Sequence, residues 1–152
     1  MQLQGKVVAV TGAFGQLGRA VAAELRAQGA RVALLDRAAG EAPPDDRSWA
    51  VDLASLAETS RVMAEAASHF GGIAGLVNVA GGFRSQTLAD SEDLAEWSAM
   101  HVMNLQTCVS ACRAALPHLR RAGAGGRSST SARWALCGAP PEWGLTPRRN
   151  RA

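Results

Sequence analysis

The stretch from Lys6 to Asp36, KVVAVTGAFGQLGRAVAAELRAQGARVALLD, leaves few folds open. Val7 to Val10 is a continuous apolar run, as a buried parallel strand requires. A glycine-rich turn, Thr11 to Gly18, follows, and then Leu17, Val21 and Leu25 recur at helical spacing. Gly29 stops that helix, and a second apolar strand, Val32 to Leu35, ends on Asp36. The pattern is a βαβ unit with the grammar of a dinucleotide site. Gly12 permits a tight turn, Gly15 lets backbone approach a pyrophosphate, and Gly18 lets the helix pack close to the strand. The helix N-terminus would offer its free N–H groups and positive dipole end to the phosphates.

The plain alternative is an ordinary strand-to-helix turn that happens to be rich in glycine. The preceding strand, the following helix and the acid ending the next strand favour the cofactor reading. A carboxylate at Asp36 accepts hydrogen bonds from the adenosine ribose and repels a 2′-phosphate, which favours NAD. Arg37, directly after it, either stacks on adenine or attracts that phosphate, so NADP stays open.

The rest of the chain extends the alternation. Ala38 to Arg47 is a polar connector with Pro43 and Pro44, and Ser48 to Val51 reads as a third strand ending at Asp52-Leu53. Asp52 would meet the adenine amino group, cap the next helix, expected over Leu56 to Phe70, or fill both roles at once. Gly75 to Asn78 is a fourth strand running into Val79-Ala80-Gly81-Gly82. Asn78 either bridges neighbouring strands or serves as a turn residue, and the glycines beside it point to close approach of a ligand. Asp90 to Arg121 is helical in pattern, with Ser91 as N-cap and Met100, Met103, Val109, Cys112 and Leu116 as the expected buried stripe. Asn104 lies inside this helix, where its propensity is poor and a functional or core-bridging role is the reason to look for.

Charge divides the chain. The net +3 hides an acidic body, with 9 Lys and Arg against 12 Asp and Glu over residues 1–119, and a basic end with 7 Arg against Glu142 alone. An Arg-rich end can hold nucleic acid, but the acidic body argues against a dedicated nucleic-acid protein. Three cysteines, Cys108, Cys112 and Cys137, make no disulfide framework. One straight helix carrying the first two cannot wrap a tetrahedral metal, so core thiols are expected and no metal site. No apolar run reaches membrane-spanning length and no signal-peptide pattern opens the chain, so a cytoplasmic location is expected.

With these residues in place the chain resembles the short-chain dehydrogenase/reductase family over residues 3 to about 127. The resemblance rests on TGAFGQLG, on Asp52-Leu53, on NVAG (Asn78 to Gly81), on the segment around Asn104 and on Ala-Leu-Pro-His at 115–118. Gln16 stands where the family usually has Gly or Ala, and Val79 where it usually has Asn. The resemblance implies a Rossmann-type, doubly wound parallel α/β sheet and NAD(P)-dependent hydride transfer on a small alcohol or carbonyl substrate. It implies homo-oligomers as well. Its cofactor residues would be Gly12, Phe14, Gly15, Gln16, Leu17, Gly18, Asp36, Arg37, Asp52, Leu53, Asn78, Ala80 and Gly81. Asn104 would hold a water in the catalytic proton relay. The family's general acid is a Tyr assisted by a Lys four residues later, yet this chain has no Tyr and its one Lys is Lys6.

The mismatch falls after Arg127. Residues 128–152 lack strand alternation and helical periodicity, so the expected division is a nucleotide-binding domain over 1–127 and an irregular Arg-rich tail over 128–152. One inserted nucleotide after the Arg127 codon permits the reading IVNVGALGAVRGAPGMGAYTASKSG, which opens as a buried strand and restores a Tyr at the place of Thr146 and a Lys at that of Asn150. The expectation is a C-terminally truncated, frame-shifted dehydrogenase without turnover. The alternatives are an NAD(H)-binding module or regulatory partner and, last, nucleic-acid contact through the tail.

Overall fold

Strands and helices alternate from the first residues described in this computed structural model, which covers residues 3–84, 94–122 and 127–130. The strands are β1 (Val7–Thr11), β2 (Arg31–Asp36), β3 (Arg47–Ala50), β4 (Gly75–Asn78) and β5 (Arg127–Thr130). The helices are α1 (Gln16–Ala27), α2 (Leu56–Phe70), α3 (Ala95–His101) and α4 (Thr107–Arg121), the last two joined by a π-helical segment, Val102–Gln106. All strands are parallel, in the order β3-β2-β1-β4-β5. The chain therefore winds outward from β1 to β3, then crosses back to β4 on the other side of β1. That reversal opens a crevice at the carboxyl ends of β1 and β4.

Both faces of the sheet are covered, which is why β1 is buried at every position. Val7 and Ala9 face one core with Met63 and Ala66 of α2 and Ala111 and Ala115 of α4. Val8 and Val10 face the other with Val32, Leu34 and Ala22 of α1. The period of two along the strand assigns the faces. Helix α2 spans the expected residues, but Ser55 rather than Asp52 caps it, accepting from Glu58 N at 3.3 Å. Asp52 instead accepts from Ala54 N at 3.0 Å.

The connector after β2 is tied down by a residue that composition does not reveal. Asp46, whose side chain is 1% exposed, accepts from Val32 N at 2.7 Å and from Arg26 at 2.7 Å. Its carboxylate continues the β2 ladder one step before β3 begins at Arg47, the connector's expected last residue. Asp46→Ala would orphan a buried strand N–H and is expected to lower the unfolding free energy by about 2–3 kcal/mol. Urea denaturation measures it, and a loss below about 1 kcal/mol would show that water replaces the carboxylate.

The long helix departs from expectation. Residues 90–93, including Ser91, fall outside the described residues. From Ala95 the helix runs to Arg121, but Thr107 N–H reaches back five residues to Val102 O, and the extra residue turns the helix face. The expected stripe is not the buried one: Val109 is 47% exposed and Leu116 45%, with Met100, Met103 and Cys112 only partly covered. The buried positions on α4 are Thr107, Ser110, Ala111, Ala114, Ala115 and Leu119. Small side chains let this helix lie close on the sheet and on α2, with Leu119 as the one large apolar residue buried on it, while Val109 and Leu116 point outward.

The sheet has five strands where the sequence supports four, and β5 continues to Thr130, past the expected boundary at 127. Residues 131–152 are outside the described residues. Among the described residues no helix is long and apolar enough to cross a membrane.

Candidate functional site

The crevice at the carboxyl ends of the strands encloses 260 Å³. Gly12, Gly15, Leu17 and Gly18 form its floor, Asp36 and Arg37 close one end, and Asp52 and Leu53 stand beside them. Ala80 and Gly81, following β4, make the opposite wall.

The floor is built from contacts that only glycine allows. Gly12 has φ +64°, and a Cβ there would lie 2.8 Å from the backbone of Ala80. A Cβ on Gly18 would run into Gly12 O and lie 2.8 Å from Ala13 Cα, so this glycine seats α1 against the turn. Gly15 differs: a Cβ there would meet only Gly12 O, at 3.4 Å, and would otherwise project into open space. Gly15 is also the N-cap of α1, no side chain caps that end, and the first turn holds no acid. The orphan N–H groups and positive end of the dipole are thus left facing the crevice.

Thr11 fixes the distance between floor and wall. Fully buried, its hydroxyl oxygen accepts from Val79 N at 3.1 Å and Ala80 N at 3.2 Å, and its O–H donates to Asn78 Oδ1 at 3.4 Å. Asn78 is 4% exposed and lies behind the wall rather than in the crevice, with its Nδ2 3.2 Å from Cys112 Sγ. It bridges β4 to β1 and α4, so of its two expected roles the bridging one is observed.

Asp36 is half-buried, its Oδ2 accepting from Phe14 N at 2.9 Å and its Oδ1 from Arg37 N at 2.8 Å. Two backbone donors hold the carboxylate at the crevice end with lone pairs to spare. Phe14 does not line the crevice; its ring packs on Gly40 beside an adjoining depression of 710 Å³ that Arg19 and Arg37 also line. Gln16 is exposed and lines neither. Asn104 sits in the π segment, its Oδ1 accepting from Gly82 N at 3.0 Å and its Nδ2 donating to Met100 O at 3.0 Å. A Cβ at Gly81 would lie 2.6 Å from that Oδ1, so the amide braces the Gly81-Gly82 backbone.

Val51, Val79, Met103 and Thr107 also line the crevice, and sequence reasoning assigned none of them to it. Thr107 and Met103 arrive through the π turn, which no periodicity signals. Among the described residues no group of three or more His, Cys, Asp or Glu is placed to hold a metal.

A parallel α/β sheet with a glycine-floored crevice at its switch point defines a Rossmann-type protein. The family model for short chain dehydrogenase matches residues 6–128, and the chain belongs to that family of oxidoreductases. It is similar to the D-threitol dehydrogenase of Mycolicibacterium smegmatis, 33% identical over 136 residues, covering 82% of this chain and 51% of that one. Among solved structures it resembles the NADH-dependent reductase A1-R' complexed with NAD, at 26% identity and a TM-score of 0.74, over 84% of this chain and 59% of that one. A short-chain dehydrogenase/reductase from Serratia marcescens is 29% identical with a TM-score of 0.74, covering 86% and 58%. The chain spans about half the length of the curated relatives it matches.

Proposed function

We propose that the crevice binds a nicotinamide dinucleotide, NAD in preference to NADP, and that this chain descends from a hydride-transferring enzyme whose proton donor it lacks. The observation that carries the reading is the open face at Gly15, where an uncapped helix end meets a concavity that any side chain would fill. The pyrophosphate would lie over Gly12, Gly15 and the N–H groups of Gln16, Leu17 and Gly18. Asp36, pre-set by Phe14 N and Arg37 N, would accept the adenosine ribose hydroxyls. Asp52 and Leu53 would border the adenine, and Ala80 and Gly81 the nicotinamide side. A bound nicotinamide would supply a hydride donor or acceptor for a small alcohol or carbonyl.

Asp36 is expected to set the choice of cofactor. Asp36→Asn removes the charge that repels a 2′-phosphate while keeping an acceptor. The ratio of NADPH to NADH dissociation constants should fall about tenfold, near 1.4 kcal/mol. Fluorescence titration with both nucleotides measures it, and an unchanged ratio would remove Asp36 from specificity.

Catalysis is the weaker half of the inheritance. Hydride transfer to a carbonyl needs a proton donor; the chain has no Tyr, and its one Lys, Lys6, precedes β1 at the end of the sheet away from the crevice. Asn104 would remain as a positioning group of the relay. Purified protein should therefore bind NADH with no turnover of aldehydes, ketones or secondary alcohols. Turnover above background would overturn the inactive reading and leave the binding reading standing. The lack of Tyr within these 152 residues suits a second description of the same site, an NAD(H)-binding module that acts on a partner. The outward apolar residues Val102, Leu105, Val109 and Leu116 would suit packing against another copy.

A further inference from the structure

A second concavity, of 580 Å³, lies at the opposite end of the sheet from the crevice. Lys6 enters it from the start of β1, His118 and Arg121 from the last turns of α4, and Ser68 from α2. No Asp or Glu lines it, and none of Lys6, His118 or Arg121 forms an ion pair among the described residues. Arg31 adds to the same field, with its guanidinium 4.7 Å from the centroid of the Phe70 ring that forms part of the wall. Positive charge is gathered here on a body whose residues 1–119 are acidic overall.

Basic side chains in the last turn of a helix suit the negative end of its dipole, and His118 and Arg121 fit that description. Lys6 does not, since it belongs to no helix. Nor does the glycine pair that ends α2 serve α4. Gly71 is left-handed, at φ +79° and ψ +13°, directly after the helical Phe70. That conformation is a left-handed helix cap, and it brings the backbone of Gly71 and Gly72 to the cavity wall. Two cations, an imidazole and a hydroxyl around one cavity are a donor set for a compact oxyanion.

We propose that this cavity is a second ligand site, separate from the crevice, that takes a phosphate-bearing small anion through Lys6, His118 and Arg121. Its size admits a phosphorylated metabolite, and the single imidazole within it gives a local readout. Burial, and then Arg121, holds His118 below the ordinary histidine value of 6.5. The charged groups sharing the cavity with it are Arg121 on its own helix and Lys6 just before β1, while α2 contributes no titratable side chain to the lining. A bound phosphate dianion reverses the sign of the local field and raises the His118 midpoint.

The test is a proton NMR titration of the three histidines of the full chain, in inorganic phosphate and in chloride at matched ionic strength. His118→Gln assigns the signal. The His118 midpoint should move up by about one unit in phosphate while His69 and His101 stay in place. Lys6→Met and Arg121→Met should each abolish the movement, and Arg120→Met, on the exposed side of α4, should preserve it. The His69 and His101 signals report whether each variant remains folded. An unmoved His118, a movement shared equally by all three histidines, or one that survives both charge-removing variants would overturn the proposal.

Discussion

Valine at position 15 is expected to destroy dinucleotide binding and leave the fold intact, whereas alanine at position 18 should damage the fold itself. Gly15 has ordinary extended angles, φ −68° and ψ 165°, and an added Cβ would meet only Gly12 O at 3.4 Å. Stability should change by less than about 1 kcal/mol, as at an unstrained surface position. The new side chain would fill the space in which a pyrophosphate must reach the N–H groups of the first turn of α1. Losing two charge-assisted hydrogen bonds costs about 3 kcal/mol, a fall of about a hundredfold in NADH affinity. Gly18→Ala places its methyl against Gly12 O and within 2.8 Å of Ala13 Cα, so α1 must move off the turn. Overpacking of that kind costs about 1–3 kcal/mol. Paired urea and NADH titrations of the two variants separate the effects. If Gly15→Val binds NADH as the parent chain does, the pyrophosphate does not cross that helix end.

The contrast between these two glycines also marks what the sequence made legible. The unit β1-α1-β2 could be read because a strand covered on both faces must be apolar throughout and because the turn needs glycine at particular steps. Helix α2 was equally plain, with Gly71 in the left-handed region at its end. The helix across the crevice was misread because hydrophobic periodicity weighs large side chains. Close packing there selects Thr107, Ser110, Ala111, Ala114 and Ala115, and the π segment changes the phase that periodicity assumes constant. Phe14 and Asn78 take their expected cofactor roles from the family motif, whereas the bridging alternative for Asn78 follows from its place at the end of a buried strand. A motif carries no depth, so it could not reveal that one packs aside on Gly40 and the other supports the wall from behind. Asp46 was invisible for a related reason. An acid in a polar connector looks solvated until the fold brings Val32 N and Arg26 to it.

Thr11 concentrates such hidden support, and Thr11→Val should be far more damaging than its small change in size suggests. Valine keeps the shape of the side chain and its strand preference, so the sheet loses no packing. It removes the one acceptor shared by Val79 N and Ala80 N and the donor facing Asn78 Oδ1. Thr11 and Val79 are both buried, so water cannot enter to replace the hydroxyl without opening the sheet between β1 and β4. Each buried group left unpaired costs about 1–3 kcal/mol, and two backbone donors together should cost about 2–5 kcal/mol. Urea denaturation would register that as a shifted midpoint with an unchanged slope. Thr11→Ser, which keeps the hydroxyl and loses a methyl, should recover most of the difference. Were serine and valine equally damaging, the methyl's packing and not the hydroxyl would be what holds floor and wall together. The same pair separates stability from function. The peptide that Thr11 fixes, at Val79-Ala80, is the one 2.8 Å from where a Cβ on Gly12 would stand. Releasing it should widen the crevice and weaken NADH binding in the valine variant, even at temperatures where the fold persists.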